Sequence, residues 1–510
     1  MSTAIYREDD QNITRHSHFL LRAALIFLST PVVLFALSWL NFGAALLLTI
    51  LVVYTLVTSW THAGQPIPLF RSAAEIFEKH SPAFAVLLIW CALSGTGGIG
   101  FQNSDYAASN ALLKDLIENR WPLYLRPDVP LVYYVLYYLP AAGIGKILGW
   151  QAANVFLFVW TYAGLIIVWS LFSLAARLDS LSQTRKLLAV LLFIIFGGWD
   201  FFGSLLNYPQ GTLQIGSHIE WWAAIGQFSS NTTLLFWVPQ HVLAPWMVTA
   251  AILLTLRNGA GGTFIWFMAA MSFLWSPVAS LGLLPFLFIC QIRLMADRNF
   301  MVNITAANFF VGPMLAAAAF LFYSSNSFSF PSGWQFGEPA FARNYTLLIL
   351  LEALAVAFPF FSQHLRAKIY LNQIDIPPPI KLNRTEKTLG WSALAMLMIL
   401  PAYKVGIMND LCMRASVPAL MILFFFWIRI LRKEFTFQYI PLAVTFIAAI
   451  LGSGSAFQEV QRSLSNYSAR IVPMEKVSTL LNNPDNSVIE QRAGKAESLF
   501  WKWLGPQRDK

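Results

Sequence analysis

Residues 131–149 read LVYYVLYYLPAAGIGKILG, and whether this stretch crosses a membrane decides the topology of everything after it. The stretch is long enough to span, because about 20 apolar residues cross a bilayer. Pro140, Gly143, Gly145 and four tyrosines are unusual for a lipid-facing helix. Hydropathy alone therefore leaves two topologies open.

The distribution of basic residues favours the topology in which 131–149 does not cross. Cytoplasmic loops of membrane proteins carry an excess of Lys and Arg. If 131–149 does not cross, the following basic residues all lie on the side of the N-terminus: Arg7, Arg15, Arg71, Lys79, Arg177, Arg185, Lys186, Arg257, Arg293, Arg298, Arg366, Lys368, Lys381, Arg384, Lys387, Arg432 and Lys433. If it crosses, every later basic loop moves outside. We therefore expect a cytoplasmic N-terminus and an external, periplasmic C-terminus.

The composition is that of a polytopic membrane protein. Of 510 residues, 57% are hydrophobic and 12% are charged, whereas a soluble domain has about 25% charged residues. The net charge of +9 then reflects cytoplasmic loops, and no nucleic-acid partner is expected. The three cysteines lie far apart and predict neither a disulfide framework nor a metal cluster.

We predict an all-α fold with about 13 transmembrane helices. The apolar runs lie near residues 19–40, 43–60, 83–99, 153–175, 187–206, 238–256, 263–277, 279–292, 303–323, 345–362, 389–403, 416–430 and 436–452. The predicted segments are a cytoplasmic N-tail, 1–18; a transmembrane domain, 19–452, with an external loop, 100–152, and a cytoplasmic linker, 363–388, containing Pro377-Pro378-Pro379; and an external tail, 453–510.

The external loop 100–152 is predicted to hold two interfacial helices. In the first, which follows Asp105, the apolar residues share one helical face, as in a helix on a membrane surface. Those residues are Leu112, Leu113, Leu116 and Ile117, and the polar residues that point away from them are Lys114, Asp115, Glu118 and Asn119.

Several short motifs carry a family resemblance. They are Asp105, Pro130-Leu131-Val132-Tyr133-Tyr134, Lys146-Ile147-Leu148-Gly149, Trp237-Val238-Pro239-Gln240-His241 and Asn409-Asp410-Leu411-Cys412-Met413-Arg414. With its external loop, the chain resembles the GT-C class of integral-membrane glycosyltransferases, and the last two motifs look similar to segments of uncharacterised bacterial members. The chain has two spans before the span that leads into the loop, whereas the best-known members have one.

The resemblance implies an inverting glycosyltransferase in the bacterial inner membrane. Such an enzyme takes a sugar from a polyprenyl-phosphate carrier at the external face and transfers it to a hydroxyl of a glycan, lipid or protein acceptor. Membrane lipid is a further partner. Asp105 is then the expected catalytic base. The alternative is that Ser104 or Asp105 only caps the helix that follows.

Other residues are candidates for binding the substrate phosphate. Arg414 and Lys404 lie at the external ends of predicted spans, and Arg414 suits a phosphate because its guanidinium makes bidentate hydrogen bonds. The alternative for Arg414 is a lipid headgroup or an ion pair with Asp410. His241, at the external start of a span, would help to stabilise the departing phosphate, or would be a structural hydrogen-bond partner.

Three further carboxylates leave the function more open. Asp200 and Glu220 are candidates for substrate binding, either orienting the acceptor or holding a divalent metal, or they are solvated loop residues. No cofactor or metal site is firmly predicted from them, although a divalent metal is compatible. Glu352 lies inside a predicted span, where a transporter would also place an acid. A lipid-linked glycan transporter or flippase, and a surface-glycan polymerase or ligase, are therefore the alternative functions.

Overall fold

The structure is a computed structural model that describes residues 2–61, 69–208, 214–296, 300–369, 382–432, 440–468, 470–481 and 489–506. Of the predicted features, Arg298, Lys381, Lys433 and the Pro377-Pro378-Pro379 run lie outside these described residues. Within them the chain is predominantly helical, in agreement with the predicted all-α class.

Helices of very different lengths follow one another along the chain. In order, they are α1 (Ser2–Trp39), α2 (Phe42–Thr61), α3 (Leu69–Leu93), α4 (Asp105–Glu118), α5 (Leu139–Ala175), α6 (Gln183–Ile195), α7 (Asp200–Asn207), α8 (Asn231–Trp237), α9 (Pro239–Asn258), α10 (Ile265–Trp275), α11 (Pro277–Leu281), α12 (Leu284–Met295), α13 (Gly312–Ser324), α14 (Phe341–Leu348), α15 (Leu354–Ile369), α16 (Arg384–Ile399), α17 (Asp410–Ala415), α18 (Val417–Leu431), α19 (Ile440–Gly452), α20 (Gly454–Ser465) and α21 (Leu499–Trp503).

Two short antiparallel ribbons complete the described secondary structure. Strand β1 (Tyr124–Arg126) pairs with β2 (Val129–Pro130), and β3 (Ser332–Trp334) pairs with β4 (Tyr403–Val405). Both ribbons connect helices rather than form a layer.

Ten helical segments of the described chain are long and apolar enough to cross a membrane. They are Thr14–Trp39, Phe42–Ser59, Phe70–Leu93, Leu139–Ala175, Gln183–Asn207, Pro239–Asn258, Pro277–Met295, Ala307–Ser324, Phe341–His364 and Asp410–Leu431. The chain is therefore a multi-pass membrane protein.

The remaining three predicted spans overlap shorter helices, namely α10, α16 and α19. The longest of them, α16, has 16 residues and is about 24 Å long. The hydrocarbon core of a bilayer is about 30 Å thick. The predicted count of about 13 crossings therefore stays a prediction.

Gly149 interrupts the long helix α5. Its φ of 87° and ψ of 178° are not helical, and this positive φ is one that L side chains rarely adopt. Residues 139–148 thus form a separate helical segment about 15 Å long, too short to cross a bilayer alone. The structure accordingly has a second short helix where the sequence predicts the second interfacial one.

The apolar part of α1, Thr14–Trp39, runs between two opposite ends of the helical bundle. Near the start of this part, Ser17 Oγ accepts a hydrogen bond from Asn258 Nδ2 at 3.0 Å. Just beyond its other end, Asn41 N donates to Leu504 O at 2.6 Å. The helix between Ser17 and Trp39 is about 33 Å long. We call the end that holds Leu504 the Asp105 end and the opposite one the Arg257 end.

The tail packs on the loop around α4 at the Asp105 end. Gly494 N donates to Pro130 O at 2.8 Å, and Leu480 N donates to Asp115 Oδ2 at 2.7 Å. The tail and the loop that are both predicted to be external are therefore in direct contact with each other.

Helix α9 lies at the centre of the bundle. Nearly all of its residues are buried, and it packs against α5, α10, α12 and α18. Pro239 begins it, which suits a position whose backbone N–H needs no helical partner. The central helix thus presents His241 near the Asp105 end and Arg257 at the other.

Candidate functional site

Asp105 is the first residue of α4, and its side chain is accessible to solvent. Neither Ser104 nor Asp105 makes the side-chain hydrogen bond that a helix cap requires. Asn103 holds this turn instead, since its Oδ1 accepts from Asp105 N at 3.0 Å and its Nδ2 donates to Phe236 O at 2.8 Å. The carboxylate of Asp105 is therefore not engaged in capping.

Three cationic side chains and one further carboxylate, Asp410, act electrostatically on Asp105. Desolvation by the neighbouring protein raises the pKa of Asp105, and the positive charge of Arg414 is the strongest opposing effect. His218 and Arg492 lower this pKa further. Because Asp105 itself stays accessible, the desolvation comes from the groups around it and not from complete burial. One carboxylate thus lies in the field of cationic side chains from three separate parts of the chain.

Arg414 reaches this region from α17. Asn409, whose side chain accepts a hydrogen bond from Cys412 N, caps that helix in a left-handed conformation that asparagine tolerates. Arg414 Nη2 pairs with Asp410 Oδ1 at 2.8 Å, so the predicted ion-pair alternative is present. Arg414 Nη1 donates to Tyr134 OH at 3.2 Å.

One nitrogen of Arg414 lacks a hydrogen-bond partner. Its Nε is buried and has no partner among the described residues. Because buried donors are rarely left unpaired in folded proteins, this nitrogen is an unusual feature of the region.

His241 lies beside the same tyrosine but is buried. Its Nδ1 is 2.9 Å from Ser276 Oγ, and its ring meets the edge of Tyr134 with ring centres 4.5 Å apart. His241 therefore has a structural hydrogen-bond partner, which is the alternative role expected for it. It reaches the Asp105 region only through Tyr134.

Arg492 comes from the tail and is not a residue that the sequence pointed to. Its guanidinium lies over the ring of Tyr133 at 4.3 Å, and its Nη2 donates to Tyr133 OH at 3.3 Å. The segment around it carries no motif, and it is far in sequence from the tyrosines it contacts. Only the docking of the tail brings it to the site.

A histidine–carboxylate pair lies next to this region. His218 Nδ1 is 3.1 Å from Glu459 Oε1, while Glu459 Oε2 accepts from Trp237 Nε1 at 2.9 Å and pairs with Arg462. Burial lowers the pKa of His218, but its hydrogen bond with Glu459 and nearby negative charges raise this pKa by more. His218 is thus held towards its charged form.

The other predicted carboxylates form a separate, buried cluster. Trp222 Nε1 donates to both Asp200 and Glu352, at 3.2 and 2.8 Å. Ser455 Oγ donates to Asp200, and Phe228 N donates to Glu352. Protein donors therefore hold this pair in place.

Glu220 is buried beside that pair. It accepts from Ser230 N at 2.9 Å and from Thr233 Oγ1 at 2.6 Å. Burial, together with the charge of Asp200, raises the pKa of Glu220 to about 7. Asp200 and Glu220 are thus not the solvated loop residues of the alternative interpretation.

Lys404 lies opposite Gly333 in β4, a strand that packs against α17, and makes no ion pair within the described residues. No group of three or more His, Cys, Asp or Glu that could hold a metal ion occurs among the residues that the structure describes. The structure therefore places Asp105 within the electrostatic field of Arg414, links His241 to Arg414 through Tyr134, and leaves Asp200 and Glu220 in a separate buried cluster.

Comparison with known proteins adds no relative. No protein-family model, no curated protein and no solved structure matches the chain. A function for the chain must therefore rest on the geometry of these residues and on the motifs of the sequence.

Proposed function

We propose that the chain is a membrane glycosyltransferase of the GT-C type. It transfers a sugar from a polyprenyl-phosphate carrier to an acceptor hydroxyl, with inversion, at the external face of a bacterial inner membrane. In this proposal the chain crosses about 13 times, with the N-terminus in the cytoplasm and the Asp105 end outside.

One observation supports the proposal above the others. The carboxylate of Asp105 is accessible, does not cap α4 and lies within the electrostatic field of Arg414. The Nε of Arg414 has no acceptor among the described residues. A glycosyl transfer needs a base for the acceptor and a cation for the phosphate that leaves. Here the two groups come from distant parts of the chain and lie at the same end of the bundle.

The reaction step follows from these positions. Asp105 takes the proton of the acceptor hydroxyl, and the acceptor oxygen attacks the anomeric carbon from the face opposite the phosphate. The new bond from that carbon to the acceptor oxygen forms as its bond to the phosphate oxygen breaks. Polyprenyl phosphate leaves with the bonding electron pair, and the proton remains on Asp105.

Arg414 acts on the leaving phosphate, and two neighbouring side chains position Arg414. Arg414 donates to the leaving phosphate, because a guanidinium is always charged and offers several N–H donors. Tyr134 orients Arg414 through its hydroxyl, and His241 supports the ring of Tyr134. His241 is therefore a positioning residue in this scheme.

The test is release of polyprenyl phosphate by the full chain in lipid nanodiscs. The donors are a panel of polyprenyl-phosphate sugars, and the acceptor is an envelope extract from cells that lack this protein. We expect Asp105→Asn to lower the rate by about 10²–10⁴-fold, the usual contribution of a positioned base. The variant keeps the size of the side chain and removes its negative charge and its basicity.

Asp128→Asn is the matched control, since Asp128 is an exposed carboxylate in the turn between β1 and β2 of the same loop. It should release polyprenyl phosphate at the normal rate. Near-normal release by Asp105→Asn would overturn the assignment of the base. Loss with Arg414→Gln but not with Asp105→Asn would favour the polymerase or ligase alternative.

A further inference from the structure

The β3–β4 ribbon presents large apolar side chains on the surface of the protein. Trp334 is 66% exposed and Phe336 is 65% exposed, and Ile407, just after the second strand, is 62% exposed. Phe330 and Met408, next to the two strands in sequence, are exposed as well. An exposed apolar patch of this kind marks a surface that contacts another molecule or a membrane.

The ribbon lies at the Asp105 end of the bundle. Strand β4 packs against α17, the helix that carries Arg414. The segment that leads into β3 contacts the docked tail, because Ser327 N donates to Ala493 O at 2.8 Å. The apolar patch is therefore at the same end of the protein as the candidate site.

The polar groups of the ribbon attach it firmly to the rest of the protein. Gln335 is buried, and its Nε2 donates to Ile225 O at 2.8 Å and to Pro401 O at 2.7 Å. Gly406 N donates to Pro331 O at 2.9 Å, which joins the two strands beyond their paired residues. The aromatic side chains are thus exposed on an element that is held in place.

The exposed rings continue into a segment that can cross a membrane. The ring of Trp334 lies 5.2 Å from that of Tyr403 and 5.4 Å from that of Phe336, measured between ring centres. Phe336 in turn meets the edge of Phe341 at 5.5 Å. Phe341 is the first residue of one of the ten segments that are long and apolar enough to span. The apolar surface of the ribbon is therefore continuous with that of a transmembrane segment.

The other ribbon at this end has a different surface. The exposed residues of the β1–β2 ribbon are Arg126, Pro127 and Asp128, two of which are charged. Charged side chains are the usual choice for a ribbon that connects helices in water. Contact with water therefore explains the β1–β2 ribbon and does not explain the exposed aromatic rings of the β3–β4 ribbon.

We propose that the exposed aromatic face of the β3–β4 ribbon lies among the phospholipid headgroups of the bilayer at the Asp105 end. Trp and Tyr are enriched at this level of a membrane, because one part of each side chain is apolar and another is polar. The hydrocarbon core is excluded, since lipid cannot satisfy the backbone groups at the open edges of a ribbon. A second copy of the chain is the competing occupant, and continuity with a transmembrane segment favours lipid.

This contact has a consequence for the candidate site. Because β4 packs against α17, a ribbon anchored in the headgroup region fixes the height of Arg414 relative to the membrane surface. The anchoring itself does not depend on the proposed transfer of a sugar, and its test reads position and not activity.

The experiment measures how deep the ribbon lies in a membrane. Trp334→Cys and Ile407→Cys each add one exposed thiol, because the three natural cysteines are buried. Each full-length variant is labelled with a nitroxide and reconstituted in phosphatidylethanolamine–phosphatidylglycerol vesicles. Electron paramagnetic resonance then compares access of oxygen, which concentrates in lipid, with access of a nickel chelate, which stays in water. We expect oxygen to be favoured by several-fold, at a depth of about 5–10 Å, as for other interfacial segments.

Asp128→Cys is the matched control, since it labels the turn of the β1–β2 ribbon at the same end. Its nitroxide should be reached better by the nickel chelate than by oxygen. The same preference for nickel at the β3–β4 ribbon would overturn the proposal, because the ribbon would then lie in water. Exclusion of both reagents, or magnetic coupling between labels on neighbouring chains, would overturn it in favour of a protein partner. If Trp334→Cys does not fold, Phe336→Cys provides the same comparison.

Discussion

Tyr134 holds the guanidinium of Arg414 in place at the Asp105 end. Its hydroxyl accepts from Arg414, while its ring contacts His241. Among the residues that the structure describes, the guanidinium therefore has Tyr134 as a fixed partner besides Asp410, and its position is constrained. Electrostatic help of this kind needs preorganised donors, because a mobile cation loses its advantage over water.

We expect Arg414→Gln to change the pH dependence of the proposed reaction. A base must be deprotonated to act, so the rate rises with pH through the pKa of Asp105, which desolvation raises above its ordinary value. Arg414 lowers this pKa, and removing its charge must therefore move the rising limb of the kcat/KM profile to higher pH. Arg126→Gln, an exposed arginine at the end of β1, should leave the limb unmoved.

The outcome separates two roles of Arg414. A lower rate with an unmoved limb would mean that Arg414 acts only on the phosphate. If neither the rate nor the rising limb of the pH profile changed, Arg414 would have no role in the site.

Trp222 is the residue on which the buried carboxylate pair depends. Its indole N–H serves both Asp200 and Glu352, and a Cβ on Gly203 would lie only 2.2 Å from its ring. The glycine thus permits the tryptophan to lie against α7. Both carboxyl groups are buried and accept hydrogen bonds from protein donors, which favours a structural role over that of a moving acid in a transporter.

Trp222→Phe should therefore destabilise the protein by about 2 kcal/mol or more, because two carboxyl groups lose a donor and some volume is lost. The measurement is unfolding in detergent followed by circular dichroism. Trp334→Phe, at an exposed tryptophan of β3, is the matched change and should have little effect. Equal stability of both variants would show that Trp222 does not hold the pair.

At the scale of elements, α4 shows what the sequence can and cannot predict. The spacing of Leu112, Leu113 and Leu116 predicts the buried face, and the helix begins at Asp105 as expected. The same pattern places Asp115 away from that face, yet Asp115 is completely buried. The reason is Leu480, which donates to it from a tail more than three hundred residues away.

The sequence does not predict that Arg492 lies near Asp105, for the same physical reason. Helical periodicity reports contacts within about two turns, and motifs report residues that act near one another in sequence. Docking of the tail depends on neither. Asp105 and Arg414 were found because each lies at the end of an apolar run, which hydropathy reveals.

The buried Asp115 predicts a stability that falls with pH. Burial raises its pKa to about 6, although hydrogen bonds from Leu480 and Leu481 lower it. Between about pH 4 and pH 6 the folded state then binds more protons than the unfolded state, so raising the pH through this window destabilises the fold. The full effect is about 3 kcal/mol.

Asp115→Asn should remove this contribution, and thermal unfolding of the variant should depend less on pH between about 4 and 6. Asp128→Asn, at an exposed carboxylate, should keep the pH dependence of the unmodified chain. Identical profiles for the two variants would mean that Asp115 does not titrate in the contact with the tail.

At the scale of the whole molecule, the two ends of the bundle have different chemistry. The Asp105 end carries carboxylates, tyrosines and two positioned arginines, whereas the Arg257 end carries six arginines at the ends of its helices, namely Arg177, Arg257, Arg293, Arg384, Arg429 and Arg432. An excess of positive charge marks the cytoplasmic side of a membrane protein. The difference therefore predicts which end lies outside, and with it whether lipid-linked sugars at the external face can reach Asp105.

This orientation can be measured with single cysteines, because Cys91, Cys290 and Cys412 are all buried. Asp128→Cys adds an exposed thiol at the Asp105 end, and Lys387→Cys adds one at the Arg257 end. In spheroplasts, a membrane-impermeant maleimide should label Asp128→Cys at once and Lys387→Cys only after lysis.

The reverse labelling pattern would place Asp105 in the cytoplasm, and the proposed external transfer would then be impossible even with an intact site. Labelling of both thiols before lysis would mean that the two ends are not separated by the membrane. The expected pattern alone is compatible with the proposed function, because it places Asp105 at the face where the acceptor lies. The orientation therefore decides how the catalytic variants are interpreted, since loss of activity in Asp105→Asn identifies an external base only if Asp128→Cys is labelled from outside.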